Sequence, residues 1–292
     1  MTSGLAQASA PAGHLPTPDA IMGRAREENF PVASRLLSRD QRRHLLAIYG
    51  FARLVDNIGD EARGDRNGLL DSVERELDQV YAGEPRHPLM RSLAATVRAC
   101  NLPRTPFDDL IAANRQDQQV EAYETFADLE GYCMLSANPV GELVLRVFGA
   151  ATPRRLALSN RICTALQLAE HWQDIPEDLE RGRVYLPEED LRRFGCSRAD
   201  LAARPAPGQV RQLLRFEVER ARGILETGTP LVRTLRGRSR LAVAAFVAGG
   251  RAAFQAIERA GYDVSQGPPR TSRAARANAW LATVTAIHGE TR

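Results

Sequence analysis

The chain contains no lysine, so all 39 of its strong bases are arginines. A biased genome accounts for such usage without selection. Guanidinium groups nonetheless grip phosphate oxygens bidentately, so an arginine beside an acidic motif is worth following. A net charge of +3 is too small to imply a polyanionic partner, and no nucleic-acid role is expected. The four cysteines form no CxxC pair, which argues against a zinc ribbon or a thioredoxin-type site and leaves reduced cytosolic thiols. The five histidines form no HExxH. There is no GxGxxG leading into a suitable helix and no GxxxxGK[ST], so dinucleotide and P-loop readings fail. The best apolar stretch, Leu241 to Gly250, is about half the length needed to span a bilayer. No run alternates convincingly with period two. Residues 1–20 lack the basic and apolar regions of a signal peptide, and their Ala, Ser, Gly and Pro content predicts a disordered tail. A soluble cytoplasmic protein is expected, at most resting on the inner membrane surface.

What is present is helical periodicity. Residues 40–60 place Leu45, Ile48, Ala52 and Val55 at three- and four-residue intervals, and 69–82, 89–100, 107–122 and 126–148 read the same way. Further helices are predicted over 154–179, 209–235, 239–260 and 272–288, with Gly- and Pro-containing turns between them. The expectation is an all-α bundle, with residues 21–292 forming one domain. Asn138-Pro139 should kink its helix, because proline removes a backbone donor. Arg181-Gly-Arg-Val-Tyr-Leu-Pro187 should break another into a loop.

Two segments carry the chemistry: Tyr49-Gly-Phe-Ala-Arg53-Leu-Val-Asp56-Asn-Ile-Gly-Asp60 and Glu170-His-Trp-Gln-Asp174-Ile-Pro-Glu-Asp178. Each holds two aspartates four residues apart, one helical turn above each other, where like charges repel. A cation would neutralise them. Mg²⁺ suits oxygen ligands and typically holds phosphates through one or two carboxylates per ion. On a helical wheel Tyr49, Arg53, Asp56 and Asp60 share one face, and Glu170, Asp174 and Asp178 share another, with Gln167 a turn earlier. One such pair commonly marks only a solvated helix face. Two pairs followed by a GRxYLP loop point to an enzyme that handles a diphosphate. His171 reads as a packing or surface residue and Tyr132 as a core aromatic. Asp108-Asp109 and Glu188-Glu189-Asp190 should serve helix N-termini.

These motifs resemble the squalene/phytoene synthase family from Glu28 to about Arg276: Tyr-x-Phe-x-Arg-x-x-Asp at 49–56, Tyr132 through Val140-Gly141, Leu166-Gln167-Leu168, and Asp174 to Pro187. The resemblance implies an all-α isoprenoid-synthase helical bundle around a central hydrophobic cavity. It implies Asp56, Asp60, Asp174 and Asp178 as Mg²⁺ ligands, joined by Glu170, around three ions with diphosphate bound. It further implies Arg53, Tyr49, Arg183 and Tyr185 near the diphosphate. Asn29, Phe30, Tyr132, Ala137, Val140, Gly141 and Gln167 would contact the prenyl substrate.

Asn57, Glu170 and Gln173 depart from the family's usual pattern. With the Glu28–Ser34 and Ser136–Gly141 segments, they make the chain most similar to the hydroxysqualene synthase branch of bacterial hopanoid biosynthesis. That branch implies a carbon–oxygen lyase converting presqualene diphosphate and water to hydroxysqualene and pyrophosphate, without NADPH. Head-to-head coupling of two prenyl diphosphates is the alternative. A non-catalytic partner subunit is a third reading, disfavoured by retention of all four aspartates. Arg270, Arg273 and Arg276 before Trp280, Leu281 and Val284 give an amphipathic basic pattern suited to transient membrane contact, where neighbouring pathway enzymes could also meet the protein.

Overall fold

A computed structural model describes residues 37–62 and 64–269, together with Leu15 and Thr283. The expected tail (Leu15 apart), Asn29, Phe30 and the basic C-terminal pattern lie outside the described residues.

Thirteen helices account for the described architecture: α1 (Arg39–Asp60), α2 (Arg66–Ala82), α3 (Pro88–Cys100), α4 (Thr105–Gln116), α5 (Phe126–Ser136), α6 (Asn138–Val147), α7 (Pro153–Gln173), α8 (Ile175–Glu180), α9 (Glu188–Phe194), α10 (Arg198–Ala202), α11 (Gly208–Gly228), α12 (Leu231–Thr234) and α13 (Gly237–Arg259). No strand occurs among the described residues. A single parallel bridge joins Ala122 to Val184. The all-α isoprenoid-synthase bundle expected from the periodicity and the resemblance is the fold.

Local chemistry explains the helix ends. Ser38 accepts a hydrogen bond from the Gln41 amide at 3.1 Å while the Gln41 side chain accepts from the Ser38 amide at 3.2 Å. This reciprocal cap satisfies two of the donors that a helix start leaves open. Glu188, Glu189 and Asp190 lie in the first turn of α9, as expected from the helix dipole.

Two hydrophobic clusters form the interior. One gathers α1 to α4 around Phe51, Leu54, Ile58, Leu77, Met90 and Phe107, with Leu15 packed against it. The other lies among α5, α7, α9, α11 and α13, with Trp172, Leu168, Leu214 and Phe254 inside it. Helix α7 packs along α11 and also meets α6 and α13. A Cβ on Gly141 would fall 2.5 Å from both Cys163 Sγ and Ser159 Oγ, so glycine sets how closely α6 approaches α7.

Several expectations need correction. The 209–235 helix stops at Gly228, and α12 begins separately after Pro230. The 154–179 helix is not continuous: α7 ends at Gln173, Asp174 takes a non-helical conformation, and Pro176 sits in the first turn of α8. Proline cannot donate to the preceding turn, so the axis breaks there. The 126–148 helix is likewise divided at Ala137 rather than merely kinked. Finally, α13 as a whole is long and apolar enough to cross a membrane, although more than half of its apolar window is buried inside the fold. Counting only Leu241–Gly250 missed the flanking turns.

Candidate active site

Asp56 and Asp60 occupy successive turns at the end of α1, on the face the wheel assigned. Asn114 of α4 donates from Nδ2 to Asp56 Oδ1 at 3.2 Å. It can reach because residue 59 is glycine; a Cβ there would collide with the Asn114 amide oxygen. Arg53, one turn before Asp56, lies 4.0 Å from Glu61 across the helix end. Tyr49 is half-buried a further turn back.

The second acidic segment is shaped by the break at Asp174. Asp178 is buried and Asp174 partly so, while Glu170 is exposed. The three carboxylates therefore do not share one buried face, because the α7 wheel stops applying after Gln173. A backbone bond from the Asp178 amide to the Asp174 carbonyl, 2.9 Å long, still holds the two aspartates one turn apart. His171 is buried, with Nδ1 3.9 Å from Asp178 and its ring stacked on Tyr185 at 3.7 Å and 14°. Gln167 holds its amide nitrogen 3.1 Å from His171 Nε2. Gln173 donates instead to the Pro269 carbonyl at 3.4 Å.

Arg183 connects the two segments. Its amide donates to the Asp178 carbonyl at 2.8 Å, and its guanidinium donates to Asp60 at 2.7 Å. Burial works against its charge, but Tyr185, Asp117 and Asp60 outweigh that and hold the guanidinium protonated. The loop carrying it runs beside residues 121–124: the Val184 amide donates to the Glu121 carbonyl at 2.7 Å and the Glu188 amide to the Tyr123 carbonyl at 2.9 Å.

Sequence reasoning missed Asn114 and Asp117. Asp117, at the C-terminus of α4, accepts from the Tyr132 hydroxyl at 2.8 Å and the Tyr185 hydroxyl at 3.1 Å. Tyr132, read as a core aromatic, is buried, yet its hydroxyl is committed to this carboxylate. Ala137 and Gly141 are buried at the α5–α6 break, and Val140 is partly buried against the α1–α4 cluster.

Electrostatics single out two of the four aspartates. Burial pushes Asp56 up to about 6, with the Asn114 bond pulling the other way and Asp60 adding to the rise. Burial, then Glu177 and Asp178, push Asp174 up to about 6 as well. Among the described residues, no three His, Cys, Asp or Glu side chains form a ready cluster for one ion. The donor chemistry still fits Mg²⁺, which takes oxygen ligands and is held through one or two carboxylates: the fold leaves the negative charge of Asp56 and Asp174 undercompensated.

With this geometry in place, comparison with known proteins decides the family. A model of squalene/phytoene synthases matches residues 24–275. The chain belongs to the squalene/phytoene synthase family. It is 36% identical over 211 residues to a hydroxysqualene synthase of Sinorhizobium fredii, covering 71% of each chain. It is 32% identical over 251 residues to the 15-cis-phytoene synthase of a Synechocystis strain, covering 81% of this chain and 74% of that one. Among solved structures, squalene synthase HpnC from Alicyclobacillus acidocaldarius is 44% identical with a TM-score of 0.77, over 82% of this chain and 91% of that one. Family members of both the hydroxysqualene and the phytoene type are thus matched at comparable identity.

Proposed function

We propose that this protein is a Mg²⁺-dependent enzyme converting presqualene diphosphate and water to hydroxysqualene and pyrophosphate. The observation that carries the reading is Arg183, whose main chain is tied to Asp178 while its guanidinium meets Asp60. A cation held between two acidic segments would meet a diphosphate bound at the same carboxylates. The choice of branch rests on Gln173 and Glu170 and on the relative named as a hydroxysqualene synthase.

In the reaction the C–O bond breaks heterolytically and pyrophosphate departs with the electron pair. The cyclopropylcarbinyl cation rearranges, water adds through oxygen, and one proton is lost. Asp56, Asp60, Asp174 and Asp178 would hold the Mg²⁺ ions, which when bound supply charge neutralisation to the leaving group. Arg53 and Arg183 would offer guanidinium groups to the leaving group, where a donor fixed in advance favours the departing charge over the ground state. Tyr132, Tyr185 and His171 pack into a buried aromatic group that limits access of bulk water. No hydride is transferred, so NADPH is not required. The product is a C30 alcohol on the way to squalene and hopanoids.

A coupling reaction on two farnesyl or geranylgeranyl diphosphates is the second reading, favoured by the phytoene synthase relatives. Incubation of purified protein with Mg²⁺ and presqualene diphosphate, without NADPH, should release pyrophosphate and a C30 alcohol. Turnover of farnesyl diphosphate alone refutes the first reading. Asp56→Ala and Asp174→Ala should each abolish turnover while circular dichroism keeps its helical signal; unchanged activity in either would remove that carboxylate from the site.

A further inference from the structure

We infer that Asp117 is a positioning residue for the diphosphate-binding arginine loop, acting through the two phenols it holds. The inference rests on the family reading of the site but concerns a residue outside both acidic segments. Asp117 closes α4 with its amide bonded to the Ala113 carbonyl at 3.0 Å, so its backbone is anchored to a helix packed on α1. Its two carboxylate oxygens are divided between partners: Oδ2 accepts from Tyr132 of α5 and Oδ1 from Tyr185 of the arginine loop. One side chain thus joins three elements that enter the site from different directions.

Tyr185 lies two residues beyond Arg183, and its ring is sandwiched among its neighbours: 3.7 Å from His171, 5.6 Å from Tyr132 and 6.0 Å from Tyr123. Fixing the Tyr185 hydroxyl therefore fixes the loop on the far side of Arg183, while the Asp178 carbonyl fixes its near side. The Asp117 charge also favours the guanidinium at a distance. Both phenol protons are committed to Asp117, so neither is offered to the leaving group. Burial raises the Asp117 carboxyl, while Arg183, Tyr132 and Tyr185 work against that rise. The same groups that Asp117 positions stabilise its charged form.

Asp117→Ala should lower kcat for pyrophosphate release about 10- to 100-fold, the cost of a modest displacement of a positioned group, with KM changed less than about threefold. The assay uses whichever prenyl diphosphate the wild type turns over, so it does not depend on the branch. In a Tyr132→Phe/Tyr185→Phe background, adding Asp117→Ala should cost less than about twofold, because the partners are already gone. A purely structural role would cost as much there as in the wild type. Trypsin supplies a readout independent of turnover. Cleavage after the buried Arg183, mapped by mass spectrometry, should accelerate in Asp117→Ala and less in Asp117→Asn, with other sites unchanged. Full kcat in Asp117→Ala overturns the inference, as does an undiminished loss in the phenylalanine background. If no prenyl diphosphate is turned over, the proposed function fails on its own. Unchanged cleavage after Arg183 then overturns the positioning role separately.

Discussion

Asp56→Asn separates the binding function of the first acidic segment from its cost to the fold. Burial raises the Asp56 carboxyl to about 6 from the ordinary aspartate value. The folded chain therefore holds a proton that the unfolded chain has released between about pH 4 and pH 6. For a raised carboxyl the contribution to stability is greatest below the unfolded value and disappears as pH climbs through the folded one. About two units at 1.36 kcal/mol each give a ceiling of about 3 kcal/mol, which Asp56 costs the metal-free fold at neutral pH. Asparagine removes the charge but keeps an oxygen to accept from Asn114. Urea denaturation with a chelator present should show the variant about 2 to 3 kcal/mol more stable than wild type near pH 8 and equal to it near pH 4. Adding Mg²⁺ and pyrophosphate should stabilise the wild type and leave the variant nearly unchanged. Parallel pH profiles for the two proteins would refute the argument, because they would mean that the Asp56 charge is already compensated within the fold.

Two further outcomes follow from buried positions. Gly141→Ala places a methyl group against Cys163 and Ser159 and should cost about 1 to 3 kcal/mol of overpacking, read as a lowered Tm. An unchanged Tm would mean that α6 and α7 separate freely. Glu217 is fully buried beside Asp190 and Arg220, and burial pushes its carboxyl up to about 9 despite the arginine. It stays protonated at neutral pH, so wild-type stability should fall as pH rises toward 9. Glu217→Gln should lack that decline in a pH series of thermal melts, and a decline of equal size in both proteins would exclude Glu217 as its source.

The helices and the two acidic segments were legible because their signals are local. Leu45, Ile48, Ala52 and Val55 repeat at helical spacing, and Arg53, Asp56 and Asp60 follow the same wheel within one unbroken element. The second segment was legible in composition but not in shape. Pro176 lies two residues after Asp174, and the wheel drawn through it overestimated how far Glu170 shares the face of Asp178. Asn114 and Asp117 were hidden for a different reason. Each acts across a helix pair, and nothing within ten residues of either marks a partner in α1 or in the arginine loop. The one local trace was Gly59, a helix-weakening residue between two functional aspartates, which leaves the space that Asn114 fills. The fate of Tyr132 was hidden similarly, since burial was readable from its surroundings but the receiver of its hydroxyl was not.

The site draws its two halves from different hydrophobic clusters. Asp56 and Asp60 stand on the α1–α4 cluster, whereas Asp178, Arg183 and Tyr185 belong to elements of the other. Neither cluster alone carries the complete site, and the Asp60–Arg183 link spans the seam between them. Activity is therefore a property of the docked pair. Loosening the seam would silence the enzyme while both clusters remained folded, so catalytic loss on heating should precede the loss of helical signal.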